Sequence, residues 1–135
     1  MLVPPGDRTR PRILIVEDNL DVRSLLRQVL LLDGWRVETA GNAREAIAVL
    51  EAQLPAIVLL DLAMPEMDGW AFLNRRSLEP TWQRVPVLVM SGSHDRAAEA
   101  IEKGANGFLP KPFTIQELRE TLADLLDPQR NTGEP

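Results

Sequence analysis

Apolar residues gather in five short runs, 13–16, 35–40, 56–60, 85–90 and 107–109, and each run predicts a β-strand. Three of the runs are almost unbroken in Ile, Leu and Val instead of alternating with polar residues, which is how parallel strands covered by helices on both faces read. Pro86 sits near the start of its run, a place where the missing N–H is tolerated. Between the runs the period changes to three and four. Val22, Leu25, Leu26, Val29 and Leu30 form a stripe that should pack on a sheet, ended by Asp33-Gly34. Asn42 with Glu45 and Thr114 with Glu117 have the spacing of capping boxes. They open helices with apolar faces Ala46, Ile47, Leu50 and Ile115, Leu118, Leu122, Leu125. A third helix follows Asp68-Gly69 with Trp70 and Leu73 inward, and a fourth runs over about 93–104 to a terminal glycine. The fourth has only small apolar residues and Ile101, so it is expected to be loosely held.

This order is (βα)5, which right-handed crossovers wind into an open, doubly wound, five-stranded parallel sheet, an α/β fold. The expected division is one domain over 12–127, with flexible, proline-containing tails at 1–11 and 128–135. No output domain is expected after Asp127.

Composition narrows the chemistry. The chain has no cysteine, so it can form neither a disulfide nor a thiolate site, and any metal must be held by oxygens. A formal charge of −5 opposes the basic footprint of nucleic-acid binding. With neither a signal peptide nor a membrane span in the sequence, the expected location is cytoplasmic, with no membrane partner.

Open α/β sheets bind ligands beyond the carboxyl ends of their strands. The first strand is followed by Glu17 and Asp18, the third ends in Asp61, the fourth in Ser91, and Lys111 follows the fifth. Only the second, ending in Ala40-Gly41, is blank. Three carboxylates a few ångströms apart repel by about 4 kcal/mol per pair at an effective dielectric near 20, so a cation must offset them. An acidic cluster without His or Cys suits Mg²⁺. Glu17 and Asp18 also suit an ordinary helix N-terminus, with Asn19 as its cap, and the two readings are compatible.

Four segments stand at these strand ends in order: Val16-Glu17-Asp18-Asn19, Leu60-Asp61-Leu62-Ala63-Met64-Pro65-Glu66-Met67-Asp68-Gly69, Val89-Met90-Ser91-Gly92 and Leu109-Pro110-Lys111-Pro112-Phe113. In these the chain resembles the receiver domains of two-component response regulators over nearly all of 12–127. The resemblance implies the flavodoxin-like strand order 2-1-3-4-5. It implies that Asp61 is the phosphoacceptor, taking a phosphoryl group from a sensor histidine kinase or a histidine phosphotransfer protein. Mg²⁺, or Mn²⁺ in its place, would be held by Asp18, Asp61 and the Ala63 carbonyl, with Glu17 acting largely through water. Lys111 would neutralise phosphoryl charge, Ser91 would donate its hydroxyl to a phosphoryl oxygen, and Phe108 would turn inward. The Lys111–Pro112 bond is expected to be cis. Ala63 and Ser93 fall where the family tunes hydrolysis, and neither can orient a water, which implies slow dephosphorylation. A downstream protein would bind the face of the fourth helix, fifth strand and fifth helix.

Other readings fit less well. A haloacid-dehalogenase-like phosphatase needs a second Asp where Ala63 stands, so the chain is not expected to be a turnover enzyme. Neither dinucleotide nor P-loop glycine spacing follows the first strand. A pseudo-receiver, binding partners without phosphorylation, remains the alternative, although such proteins usually lose part of the acid, acceptor and lysine set. His94 reads as a surface residue, Trp35, Trp70 and Trp82 as packing residues, and Arg75-Arg76 as solvated helix surface.

Overall fold

The computed structural model describes residues 10–64 and 68–127. The tails therefore lie largely, and positions 65–67 of the second motif entirely, outside the described residues. Five βα units follow one another: β1 (Arg12–Val16), α1 (Leu20–Leu32), β2 (Arg36–Ala40), α2 (Ala43–Ala52), β3 (Ile57–Asp61), α3 (Asp68–Ser77), β4 (Val87–Ser91), α4 (His94–Glu102), β5 (Gly107–Pro110) and α5 (Ile115–Leu126). A 3₁₀ turn, Trp82–Arg84, precedes β4.

All strands pair in parallel in the order β2-β1-β3-β4-β5. The three near-continuous apolar runs are the three interior strands, and every residue of β1, β3 and β4 is buried. Alternate side chains feed two cores. Leu14, Val16, Val58, Leu60, Val87 and Val89 meet Ala46, Leu50, Phe72 and Leu73 on one face. Ile13, Ile15, Ile57, Leu59, Leu88 and Met90 meet Leu26, Leu30, Leu118 and Leu122 on the other. Each fully buried Leu or Ile contributes about 2 kcal/mol relative to exposure, so the sheet is the rigid part on which the loops at its carboxyl edge are held.

Four expectations change. The α1 stripe is narrower than its spacing suggested: Leu26 and Leu30 are buried, whereas Val22 and Leu25 are 41% and 57% exposed. Leu25 lies about 100° round the helix from Leu26, beyond the strip that one sheet face can cover. In α4 only Ala97 and Ala100 are buried, and Ile101 faces solvent. The Ser93 cap opens the helix, and Gly104, whose φ of +109° suits glycine, follows its end. Thr114 and Glu117 form a full capping box, but the Asn42 box is displaced by one residue. Asn42 accepts from Glu45 N, while Glu45 Oε1 accepts from Gly41 N at 2.7 Å.

The fourth change is Arg76, which is buried rather than solvated. Its guanidinium donates from Nε and Nη2 to Val85 O (3.2 and 2.8 Å) and from Nη1 to Gly104 O (3.0 Å). Nη2 also donates to Gln83 O and Asn106 Oδ1. Arg76 thus joins the end of α3 to the turn before β4 and to the α4–β5 loop. Arg75 does reach the surface, stacking 4.5 Å over Trp82. Among the described residues, no helix is long and apolar enough to cross a membrane.

Candidate functional site

The register brings four strand ends to one level. Val16 is level with Leu60, Asp61 with Met90, and Ser91 with Pro110. Backbone bonds continue past the strands, from Glu17 N to Ala40 O, Leu62 N to Met90 O and Lys111 N to Ser91 O, each 2.9–3.0 Å. The ladder therefore fixes the residues just beyond the sheet as firmly as those in it. β2 lies at the edge, and its end supplies the Ala40 carbonyl to Glu17 N but no polar side chain.

Glu17, Asp18 and Asp61 each present an oxygen, all within 4.8 Å of one another. Glu17 and Asp61 are both only 2% exposed, whereas Asp18 faces solvent. Asp61 Oδ1 accepts from Lys111 Nζ at 2.8 Å and from Ala63 N at 3.0 Å. Glu17 Oε2 accepts from Asn19 N, but its buried Oε1 has no partner among the described residues. Asn19 itself caps α1 through Asp21 N and Val22 N, so the capping and acidic-site readings of this segment hold together. Among the described residues, one ammonium faces three carboxylates. The orphaned Glu17 oxygen and an all-oxygen donor set fit a hard divalent cation such as Mg²⁺.

Burial first, then the adjoining Asp61 carboxyl and its charge, push the Glu17 carboxyl from 4.5 to about 7, against the opposing pull of the Asn19 amide and Lys111. Because Glu17 keeps its proton longer in the folded chain, the folded state binds more protons between about 4.5 and about 7. The stability that Glu17 contributes is therefore fully present below that window and is lost as pH rises through it. Urea unfolding in the presence of a chelator should show this decline, and Glu17→Gln should flatten it. An equally steep decline in Glu17→Gln would assign the slope to other groups.

Ser91, 4% exposed, does not point its hydroxyl at Asp61. Its Oγ accepts from Ser93 N at 2.9 Å and donates to Ser93 O at 3.2 Å. Ser93 Oγ in turn accepts from Arg96 N, as the cap of α4. Phe108 is half-buried against the core, and the His94 ring meets it edge-on, with centroids 5.7 Å apart at 76°. Sequence reasoning gave His94 no part. Its position at the first turn of α4, beside β5, was the available signal. The Lys111–Pro112 peptide is cis, as expected.

The sequence profile described as the response regulator receiver domain matches residues 13–123. Response regulator MprA of Mycolicibacterium vanbaalenii is 37% identical over 118 residues, 85% of this chain and 50% of MprA, so the chain spans half the length of that relative. Among solved structures, a response regulator from Chloroflexus aurantiacus superposes with a TM-score of 0.81 at 30% identity, covering 87% of this chain and 98% of that one. The receiver domain of sensor histidine kinase PA1611 from Pseudomonas aeruginosa superposes with a TM-score of 0.79 at 25% identity, covering 87% and 98%. It holds a magnesium ion coordinated in its active-site cleft.

Proposed function

The chain belongs to the response regulator receiver family, and from that premise we propose that Asp61 accepts a phosphoryl group from the phosphohistidine of a sensor kinase or phosphotransfer protein. The observation that carries this reading is the buried Asp61 carboxylate, bonded to Lys111 and grouped with Glu17 and Asp18 at the edge of the sheet. An Asp61 oxygen attacks phosphorus, the P–N bond breaks, and the leaving imidazole keeps the electron pair and takes up a proton. The product is an acyl phosphate on Asp61. Asp18, Asp61 and the Ala63 carbonyl would hold Mg²⁺, or Mn²⁺, with Glu17 acting mainly through water, and the ion would supply positive charge to the phosphoryl oxygens. Lys111 Nζ, already 2.8 Å from Asp61, shifts from carboxylate to phosphoryl oxygen as charge develops there.

Ser91 must give up Ser93 O to donate to the phosphoryl group. That exchange draws on the turn that carries the α4 cap, and it is the step at which chemistry becomes movement. Phe108 then turns into the space vacated, and the α4–β5–α5 face changes its affinity for a downstream protein. The chain catalyses its own phosphorylation and slow dephosphorylation and turns over no small substrate. It acts in the cytoplasm and contacts neither nucleic acid nor membrane.

Slow decay follows from two positions. Ala63 presents no polar side chain, and the Ser93 hydroxyl is committed to Arg96 N. Installing an amide and a carboxylate, Ala63→Asn with Ser93→Glu, should speed phosphoryl loss by about tenfold or more, because each group can orient a water. Loss of the Ser93 cap should cost about 1 kcal/mol of stability, so decay is best followed well below the melting temperature. An unchanged decay rate in the double variant would remove the account of slow hydrolysis.

A further inference from the structure

Between α3 and α4 lies a cavity of about 690 Å³ that shares no lining residue with the acidic site. Its volume is within the range of small-molecule sites. Arg76 lines it, only 3% exposed, and all of the guanidinium's acceptors are neutral. Among the described residues no carboxylate pairs with it, so the buried charge is met by neutral oxygens alone, beside open space. Nη1 carries two hydrogens and meets one acceptor, Gly104 O.

Asn106 and Lys103 add donors at the cavity. Asn106 Oδ1 accepts from both Arg76 and Val87 N, which fixes the amide and leaves its amino group as the unengaged end. Lys103 Nζ lies 4.0 Å from Glu99, beyond hydrogen-bond length, and 6.0 Å from the Trp70 ring centroid. Trp70 forms an aromatic wall, and its cation contacts sit at the outer limit of such interactions, where they are weak and displaceable. Glu102 is the single carboxylate of the lining.

We infer that this cleft is a second binding site, for a small organic anion: a planar ring lying against Trp70 and carrying one phosphate or carboxylate that meets Arg76 and Lys103. The two sources of that chemistry are a nucleoside monophosphate and an aryl carboxylate. Because the cleft is walled by both α3 and α4, an occupant would tie the weakly packed α4 to the rest of the fold.

The test is an amide NMR titration of the full chain with AMP, with benzoate and, as the control for the anion alone, with inorganic phosphate. Saturable shifts at the Trp70 indole and at Gly104 and Asn106 are expected with AMP or benzoate, whichever source is correct, with a dissociation constant below about 1 mM and phosphate about tenfold weaker. Lys103→Ala and Trp70→Leu, both at partly exposed positions, should each weaken binding by about fivefold or more, and Glu102→Gln should strengthen it. Three results would overturn the inference: no saturation with either organic probe, shifts confined to the surroundings of Asp61 and Lys111, or unchanged affinity in both weakening variants with native spectra. Phosphoryl uptake by Asp61 is read separately by mass, so neither reading decides the other.

Discussion

Arg76→Ala is expected to lower the free energy of unfolding by about 3 kcal/mol, a large share of the stability of a domain this size. The reason lies in what the truncation strands. Val85 O, Gln83 O and Gly104 O all accept from the guanidinium, and an unsatisfied buried carbonyl costs about 1–3 kcal/mol. Two effects temper the sum. Desolvation already lowers the Arg76 pKa below its ordinary value, so removing the charge relieves a burial cost, and the adjacent cleft lets water reach part of the network. Arg76→Lys should recover little, because an ammonium is a point donor and cannot span acceptors on two segments. Urea unfolding of the three proteins measures this, and a loss below about 1 kcal/mol for Arg76→Ala would show that the network is not holding α3 to the α4–β5 loop.

Lys111→Ala is expected to slow phosphoryl uptake from a small donor by about 100-fold or more, the usual effect of removing one preorganised donor from a developing oxyanion. Lys111 Nζ touches Asp61 Oδ1 at 2.8 Å, and its charge is one of two influences that hold down the Glu17 pKa. Without it, the carboxylates lose the ammonium that offsets them and Glu17 retains its proton to higher pH. Lys111→Arg keeps the charge but not the compact shape and should fall between. Uptake rates in Lys111→Ala within threefold of wild type would mean that the ammonium only closes the pocket of the resting protein.

The strand-end residues were legible because a polar group closing a buried apolar run is conspicuous, and because register forces those ends together. Glu17, Asp18, Asp61 and Lys111 converge as their positions required. Arg76 was misread because two adjacent arginines suggest a solvated face. The helical period pointed the other way: Phe72 and Leu73 are both fully buried, and Arg76 follows them by four and three residues, on the same side. What no pattern could give was the partner of each hydroxyl. Ser91 bonds to a backbone two residues on, and Ser93 to the helix it caps, because these bonds depend on loop geometry set by the whole α4 approach. The Glu17 shift is similarly a property of burial and of Asp61 together, so it appears only in three dimensions. The exposed leucines of α1 show the same limit, since a periodic stripe records amphipathicity but not the width of the surface that covers it.

The central claim is that Asp61 is a phosphoryl acceptor, and intact mass tests it most directly. The full chain is incubated with Mg²⁺ and acetyl phosphate or phosphoramidate and then weighed, beside Asp61→Asn treated identically. A single phosphate adduct on the wild type and none on the variant is the predicted result. A wild-type chain that stays unmodified while showing no Mg²⁺-dependent change in its spectrum would contradict the claim and leave a partner-binding domain that phosphorylation does not control.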